Sequence, residues 1–178
     1  ISSKSSLSAS LSKGYKGPGV NQSVNIGRVE NMPADLRRYK HEDAYNAEVG
    51  IKHEEKRRFV SLSAFYMQRI NPQVRLSYQL DPSDPASFDF YTVNAQRGYS
   101  YGVEGELRVM LTDRLYFHDS FAILKSHIDA YKFLDRTVGN REQAHAPEFS
   151  ASAGIEYRHP RGFFLRLDHS LILDFYFE

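Results

Sequence analysis

The chain has no cysteine, no tryptophan and no apolar stretch approaching the ~20 residues that a membrane-spanning helix needs. Each absence removes a class of protein. Without cysteine there is neither a disulfide scaffold nor a thiolate metal site. Without a long apolar run there is no transmembrane helix. Charge of one sign is also missing: the formal net charge is +1. A nucleic-acid-binding face normally lifts the total well above that, so a nucleic-acid partner is not expected. The start, Ile1-Ser2-Ser3-Lys4, carries no initiator methionine and no signal-peptide core, which predicts an internal piece of a longer protein.

What is present is alternation. Apolar residues make up 41% and charged residues 25%, with a mean hydropathy of -0.53, and the two kinds are interleaved. Tyr45, Ala47, Val49 and Ile51 alternate with Asn46, Glu48, Gly50 and Lys52. Tyr99, Tyr101, Val103, Leu107 and Val109 alternate with Ser100, Gly102, Glu104, Glu106 and Arg108. Phe149, Ala151, Ala153, Ile155 and Tyr157 alternate with small or charged residues, and Phe163, Leu165 and Leu167 with Arg166 and Asp168. Val60, Leu62, Ala64 and Tyr66 keep the pattern too, although Phe59 and Phe65 break the polar parity. Period 2 is the mark of a strand with two unlike faces. A helix would put Glu104, Arg108 and Leu111 on one side and spoil any core stripe. The pattern therefore predicts Val49, Ile51, Val103, Leu107, Ile155 and Leu165 on one surface, and Glu48, Glu104, Glu106, Glu156 and Arg166 on the other.

Seven strands are predicted, at 5–15, 43–54, 58–69, 98–111, 114–126, 148–158 and 163–174. The connections sort by length. Glu54-Glu55-Lys56-Arg57, Thr112-Asp113 and His159-Pro160-Arg161-Gly162 are short and polar, whereas 16–42, 70–97 and 127–147 are long, and in an up-and-down sheet all the long ones emerge on one side. A tyrosine-rich soluble sandwich has a similar composition, but nothing obliges its connections to sort this way. Clipped turns on one side and large loops on the other describe an antiparallel segment of a transmembrane β-barrel. Tyr15, Tyr45, Tyr66, Tyr99, Tyr116, Tyr157 and Phe163 fall near strand ends, where interfacial girdles belong.

Chemistry-bearing motifs are few. Gly14, Gly17 and Gly19 precede no Gly-Lys-Ser/Thr and are read as loop-turning residues; Gly98, Gly102 and Gly105 lie on a strand as small lumen-facing residues. The seven histidines have no metal-ligating spacing, and Asp81, Asp84 and Asp89 sit among prolines in a turn-rich loop, so no metal site is expected. Glu54 and Glu55 are read as solvated turn residues. Neither a catalytic constellation nor a cofactor fingerprint is present, and no enzyme is expected. The densest polar and aromatic cluster is loop 70–97 with its flanks, in which Arg69, Arg75, Tyr78, Tyr91, Asn94 and Arg97, with Gln73, Gln79 and Asp89, are the candidate ligand contacts. Arginine and tyrosine suit an anionic metal chelate; tyrosine with acid and amide side chains suits an oligosaccharide.

Several fragments resemble the C-terminal part of the barrel of TonB-dependent outer-membrane receptors. Ser12-Lys13-Gly14-Tyr15-Lys16-Gly17-Pro18-Gly19-Val20-Asn21 is similar to the segment where a family strand enters an extracellular loop. Glu42 to Lys52 and Leu62 to Met67 are similar to a family strand and its partner. Asn94 with Gly102-Val103-Glu104-Gly105-Glu106-Leu107, and Ala146-Pro147 before the strand ending Gly154-Ile155-Glu156-Tyr157, complete the series in order. The resemblance implies a partial barrel domain over 1–178, with the plug and the final strands outside it unless Phe177 stands in for the terminal aromatic. It further implies a bacterial outer-membrane location in contact with lipid, a small-molecule ligand captured by extracellular loops, and a periplasmic TonB-type energy-transducing partner acting through the plug. A non-transporting, surface-exposed β-sheet binding or adhesion module is the alternative.

Overall fold

The computed structural model describes residues 4–21, 36–79, 81–134 and 136–174. In chain order the strands are β1 (Ser5–Lys16), β2 (Gly19–Val20), β3 (Arg38–Tyr39), β4 (Glu42–Glu55), β5 (Arg58–Ile70), β6 (Gln73–Gln79), β7 (Phe88–Asn94), β8 (Arg97–Met110), β9 (Leu115–Ile128), β10 (Tyr131–Phe133), β11 (Arg136–Val138), β12 (Phe149–Arg158) and β13 (Phe164–Leu173). No α-helix occurs among the described residues. One seven-stranded sheet runs β1-β4-β5-β8-β9-β12-β13, every pair antiparallel. These are the seven strands expected from the alternation, with ends displaced by at most two residues. Phe177 lies outside the described residues.

Residues directly opposite in neighbouring strands share a face, so unbroken registers extend the alternation of one strand across the whole sheet. One row reads Ala9, Val49, Ala64, Val103, Ile123, Phe149, Leu173, and the next Leu7, Ile51, Leu62, Gly105, Phe121, Ala151, Leu171. On the reverse side lies Ser6, Lys52, Ser61, Glu106, Ser120, Ser152, Ser170. The predicted division of Val103 and Leu107 from Glu104 and Glu106 is the one observed. Leu7, Leu11, Leu165 and Leu167 are each more than two-thirds exposed, an apolar surface far too broad for water.

The apolar band is inclined to the pairing rows. Its centre moves from near Leu11 on β1 to near Ala153 on β12 and His169 on β13. That is a drift of about one residue per strand, and with about 3.3 Å per residue and about 4.8 Å between strands it inclines the strands by about 35° to the normal of the band. Barrel strands have this tilt.

The polar face neutralises itself. Its charges recur as opposite-sign pairs two residues apart on one strand: Lys52–Glu54 at 3.1 Å, Arg108–Glu106 at 2.9 Å, Arg166–Asp168 at 2.7 Å, and Arg158–Glu156. Phe59, which breaks the polar parity, lies between the cations of Lys52 (5.0 Å) and Arg108 (4.1 Å). Tyr116 is also on this face, beneath Arg158 at 4.5 Å, and so is not part of an outer girdle. Tyr15, Tyr45, Tyr66, Tyr99 and Tyr101 do lie on the apolar face at its long-connection end, with Tyr157 at the other.

Other expectations need correcting. The turn between β4 and β5 is only Lys56-Arg57: Glu54 and Glu55 are strand residues opposite Phe59 and Arg58, and Glu55 binds Lys4 and Arg58. Gly14, Gly17 and Gly19 do not turn the chain. Gly19 instead lies under the Tyr39 ring, where a Cβ would come within 2.2 Å of the hydroxyl. Gly105 is on the apolar face, not the lumen side, and Phe121 covers it so closely that a Cβ would stand 2.3 Å from the ring.

Such a contact gives a clean contrast. Gly105→Val in the full-length barrel should cost about 1–3 kcal/mol by forcing Phe121 off its neighbour, whereas Gly17→Ala, with nothing within 4 Å, should be silent. Denaturant unfolding in detergent micelles reads both; equal midpoints would show that Phe121 can move away freely.

Candidate functional site

Beyond the band, the described parts of the long connections contain further strands. Ile70 pairs with Arg97 and Gln73 with Asn94, so the register of β5 and β8 continues into β6 and β7 through a bend at Asn71-Pro72 and Ala95-Gln96. Asn71 takes φ 51°, and Ala95 donates its N–H to the Pro72 carbonyl. β1 and β4 continue into β2 and β3 in the same way. The third connection departs: Ile128 bridges Arg141, and β10 and β11 follow that register rather than the one between β9 and β12.

These extensions meet in the buried hydrophobic cluster of the described residues, formed by Leu36, Tyr91, Val93, Ala95, Ile128, Tyr131 and Phe133 with Val74, Leu76, Tyr78 and Val138 against it. The wall itself has no such core, because one of its faces is apolar outward and the other polar. Three side chains tie the extensions together. The Asn21 carboxamide donates to the Leu36 and Thr92 carbonyls at 2.7 and 2.8 Å and accepts the Thr92 N–H at 2.8 Å, standing in for a strand on the edge of β7. Asn94 accepts the Lys40 N–H at 2.6 Å and donates to the Lys40 and Asn71 carbonyls. Glu42 accepts from Arg69 at 2.6 Å and from the Gln73 N–H at 2.8 Å, while Arg69 also donates to Gln143 at 2.7 Å.

The six candidate contacts therefore separate. Tyr78 and Tyr91 face the loop core, each packed on Phe133 with centroids 6.2 and 6.1 Å apart. Arg69 and Asn94 are occupied as clamps. Arg97 is exposed on the apolar side of the wall, opposite Ile70. Arg75 is exposed on the outer face of the β6–β7 hairpin, with its guanidinium 4.7 Å from the centre of the half-exposed Phe90 ring. Of their companions, Asp89 is buried, and Gln73 donates to the Gly17 and Lys40 carbonyls.

Among the described residues an opening lies at this end. A groove of about 710 Å³ runs between β6 and residues 139–145, lined by Arg75, Phe90, Tyr131, Arg141, Gln143 and His145. Gly139 shapes its floor: φ is +85°, and a Cβ would meet the Asp129 carbonyl at 2.5 Å. Burial raises the Tyr131 phenol above its ordinary value against the pull of the Arg141 charge. The groove thus offers a cation stacked on an aromatic ring, a second guanidinium and an imidazole, together with the Glu142 carboxylate, which pairs with Lys125 at 3.5 Å. Phe90, Arg141 and His145 were not singled out in the sequence. The outward parity of Phe90 with Arg75 and Ser77 was a signal for the first; nothing local marks the other two.

The TonB dependent receptor-like β-barrel family matches residues 1–176. The chain belongs to this family. Among solved structures, the ferric yersiniabactin uptake receptor FyuA from Yersinia pestis matches with TM-score 0.73 and 17% identity over 100% of this chain and 25% of its own. The siderophore receptor PirA from Pseudomonas aeruginosa matches with TM-score 0.67 and 15% identity over 97% and 31%. The copper transporter OprC matches with TM-score 0.65 and 15% identity over 97% and 24%. No curated protein matches by sequence. The chain spans about a quarter to a third of the length of these structures, as a segment of a transmembrane β-barrel.

With the family in place, the clamps can be tested as parts of receptor loops. Asn21→Ala in the full-length receptor removes three hydrogen bonds, each worth about 0.5–1.5 kcal/mol. The Thr92 amide should then exchange with deuterium at least about tenfold faster, while Val103 in the wall keeps its protection. An unchanged Thr92 rate would mean the clamp holds nothing.

Proposed function

We propose that this segment forms part of the wall and the ligand-facing loops of an outer-membrane receptor that takes up an anionic metal chelate, of which an iron–siderophore complex is the leading case. The observation that carries this reading is the groove beside β6. Its Arg75–Phe90 stack with Arg141 and His145 suits a ligand with negative charge and planar rings. One structural neighbour is named for ferric yersiniabactin uptake, one as a siderophore receptor and one as a copper transporter, which supports the metal-chelate class. An oligosaccharide would be gripped by exposed tyrosines and acids, but Tyr78, Tyr91 and Asp89 are turned into the loop core. In this reading the plug lies in the parent chain outside residues 1–178, and a periplasmic TonB-type protein drives release through it. The broad apolar band supports residence in the outer membrane over an adhesion module standing clear of it.

Replacing the whole 70–97 loop would also disrupt the core and clamps, so point variants are the better test. Arg75→Glu and Phe90→Ala in the full-length receptor should each weaken whole-cell binding of a ferric chelate, the charge reversal by about tenfold or more, since a charged hydrogen bond is worth about 1.5–3 kcal/mol. Surface display should not change. Undiminished chelate binding by both variants would place recognition in the plug or in other loops; loss of oligosaccharide binding instead would favour a sugar.

A further inference from the structure

The lipid-facing wall carries titratable side chains, and apart from Arg97 at its long-connection end nearly all are satisfied. Lys13 binds Asp43 at 3.2 Å, Lys125 binds Glu148 and Glu142, Glu55 binds Lys4 and Arg58, and His127 stacks on Tyr99 at 5.4 Å. Asp119 and His169 are different. They share one pairing row, Leu107, Asp119, Ala153, His169, on the same face as Phe117, Phe121, Leu167 and Leu171. On β9 and β13 this row falls near the centre of the apolar band. Neither side chain has a hydrogen bond or ion pair among the described residues. An ionisable group facing hydrocarbon is costly at that depth and is retained where it meets a partner.

We propose that the strip β9–β12–β13 is where two copies of the receptor pair side by side in the membrane, Asp119 of each accepting a hydrogen bond from His169 of the other. Both copies must direct their loops to the same side, so the two-fold axis runs along the membrane normal, and β9 of one copy then faces β13 of the other. A carboxylate acceptor and an imidazole donor on either side of the axis are self-complementary under that operation, as an isologous contact requires. The axis passes over Ala153. Ala151 and Ala153 keep the line of approach low between the bulkier rows of β9 and β13. The two polar residues stand about 10 Å apart across two strand spacings, and the tilt offsets them by about 5 Å in height, within the combined reach of the two side chains. A lipid chain would satisfy neither group.

The test exploits a segment with no cysteine of its own. In outer membranes holding the full-length receptor, otherwise free of accessible cysteine, Ala153→Cys should be joined to its own copy by a short bifunctional thiol linker, because facing sheets pack about 10 Å apart. Adding Asp119→Leu should lower the dimer yield by about threefold to tenfold, the range for polar pairs between membrane segments. The exchange Asp119→His with His169→Asp should restore it. Heat-modifiable migration of the monomer certifies that each barrel has assembled. If all barrels assemble, three results overturn the proposal: no conjugate from Ala153→Cys, a conjugate of any mass other than twice the receptor, or full yield with Asp119→Leu.

Discussion

In hydrocarbon an unpaired backbone N–H or C=O costs several kcal/mol, and this constraint organises the molecule. A strand meets it only by pairing on both edges, and an up-and-down antiparallel meander does so with the shortest connections. Once the registers are unbroken, each strand's two-residue alternation becomes a property of the whole wall. That is why Val103 and Glu104, adjacent in the chain, belong to different solvents. The same constraint relegates the hydrophobic core to the loops: Tyr91, Ile128 and Phe133 stand above the band, where water is available to drive their burial.

The polar face solves a different problem. A quarter of the residues are charged, yet the net charge is +1, and pairs such as Glu106–Arg108 and Arg166–Asp168 show how the two facts fit together. Residues two apart on a strand point the same way, so a carboxylate and a guanidinium placed at that interval neutralise each other without help from a neighbouring strand. Glycine serves this face too. Gly154 leaves room for His118 to reach Asp168 across β12, with Nε2 and Oδ1 3.0 Å apart. These exposed pairs contribute little stability individually, but they keep a wide charged surface from repelling itself.

How much was legible follows from these rules. The seven wall strands were readable because every one of them faces two unlike media, and period 2 records that directly. β6 and β7 carry the same signal: Val74, Leu76 and Tyr78 alternate with Arg75 and Ser77, and Tyr91 and Val93 share a parity with Asp89. They were read as irregular because a barrel needs no strand beyond the bilayer. Following that parity would have placed Tyr78 and Tyr91 inward with Val74 and Val93, and Arg75 outward with Phe90. Asn21, Glu42 and Asn94 were visible as family-like residues, but their role was not. A carboxamide that completes a strand edge 71 residues away leaves no local pattern. Arg141 and His145 were hidden for the same reason, since only the shifted register after Ile128 brings them to the groove.

Because β5 and β8 run into β6 and β7 without losing register, the edge of the groove is an extension of the wall and not an appendage to it. The clamps from Asn21, Glu42 and Asn94 fix the remaining freedom of the hairpin against its neighbours. The Arg75–Phe90 pair on this hairpin is therefore held in place by the wall and the clamps together. The wall from which the hairpin extends carries serines and self-neutralised charges on its polar face, with few apolar groups among them.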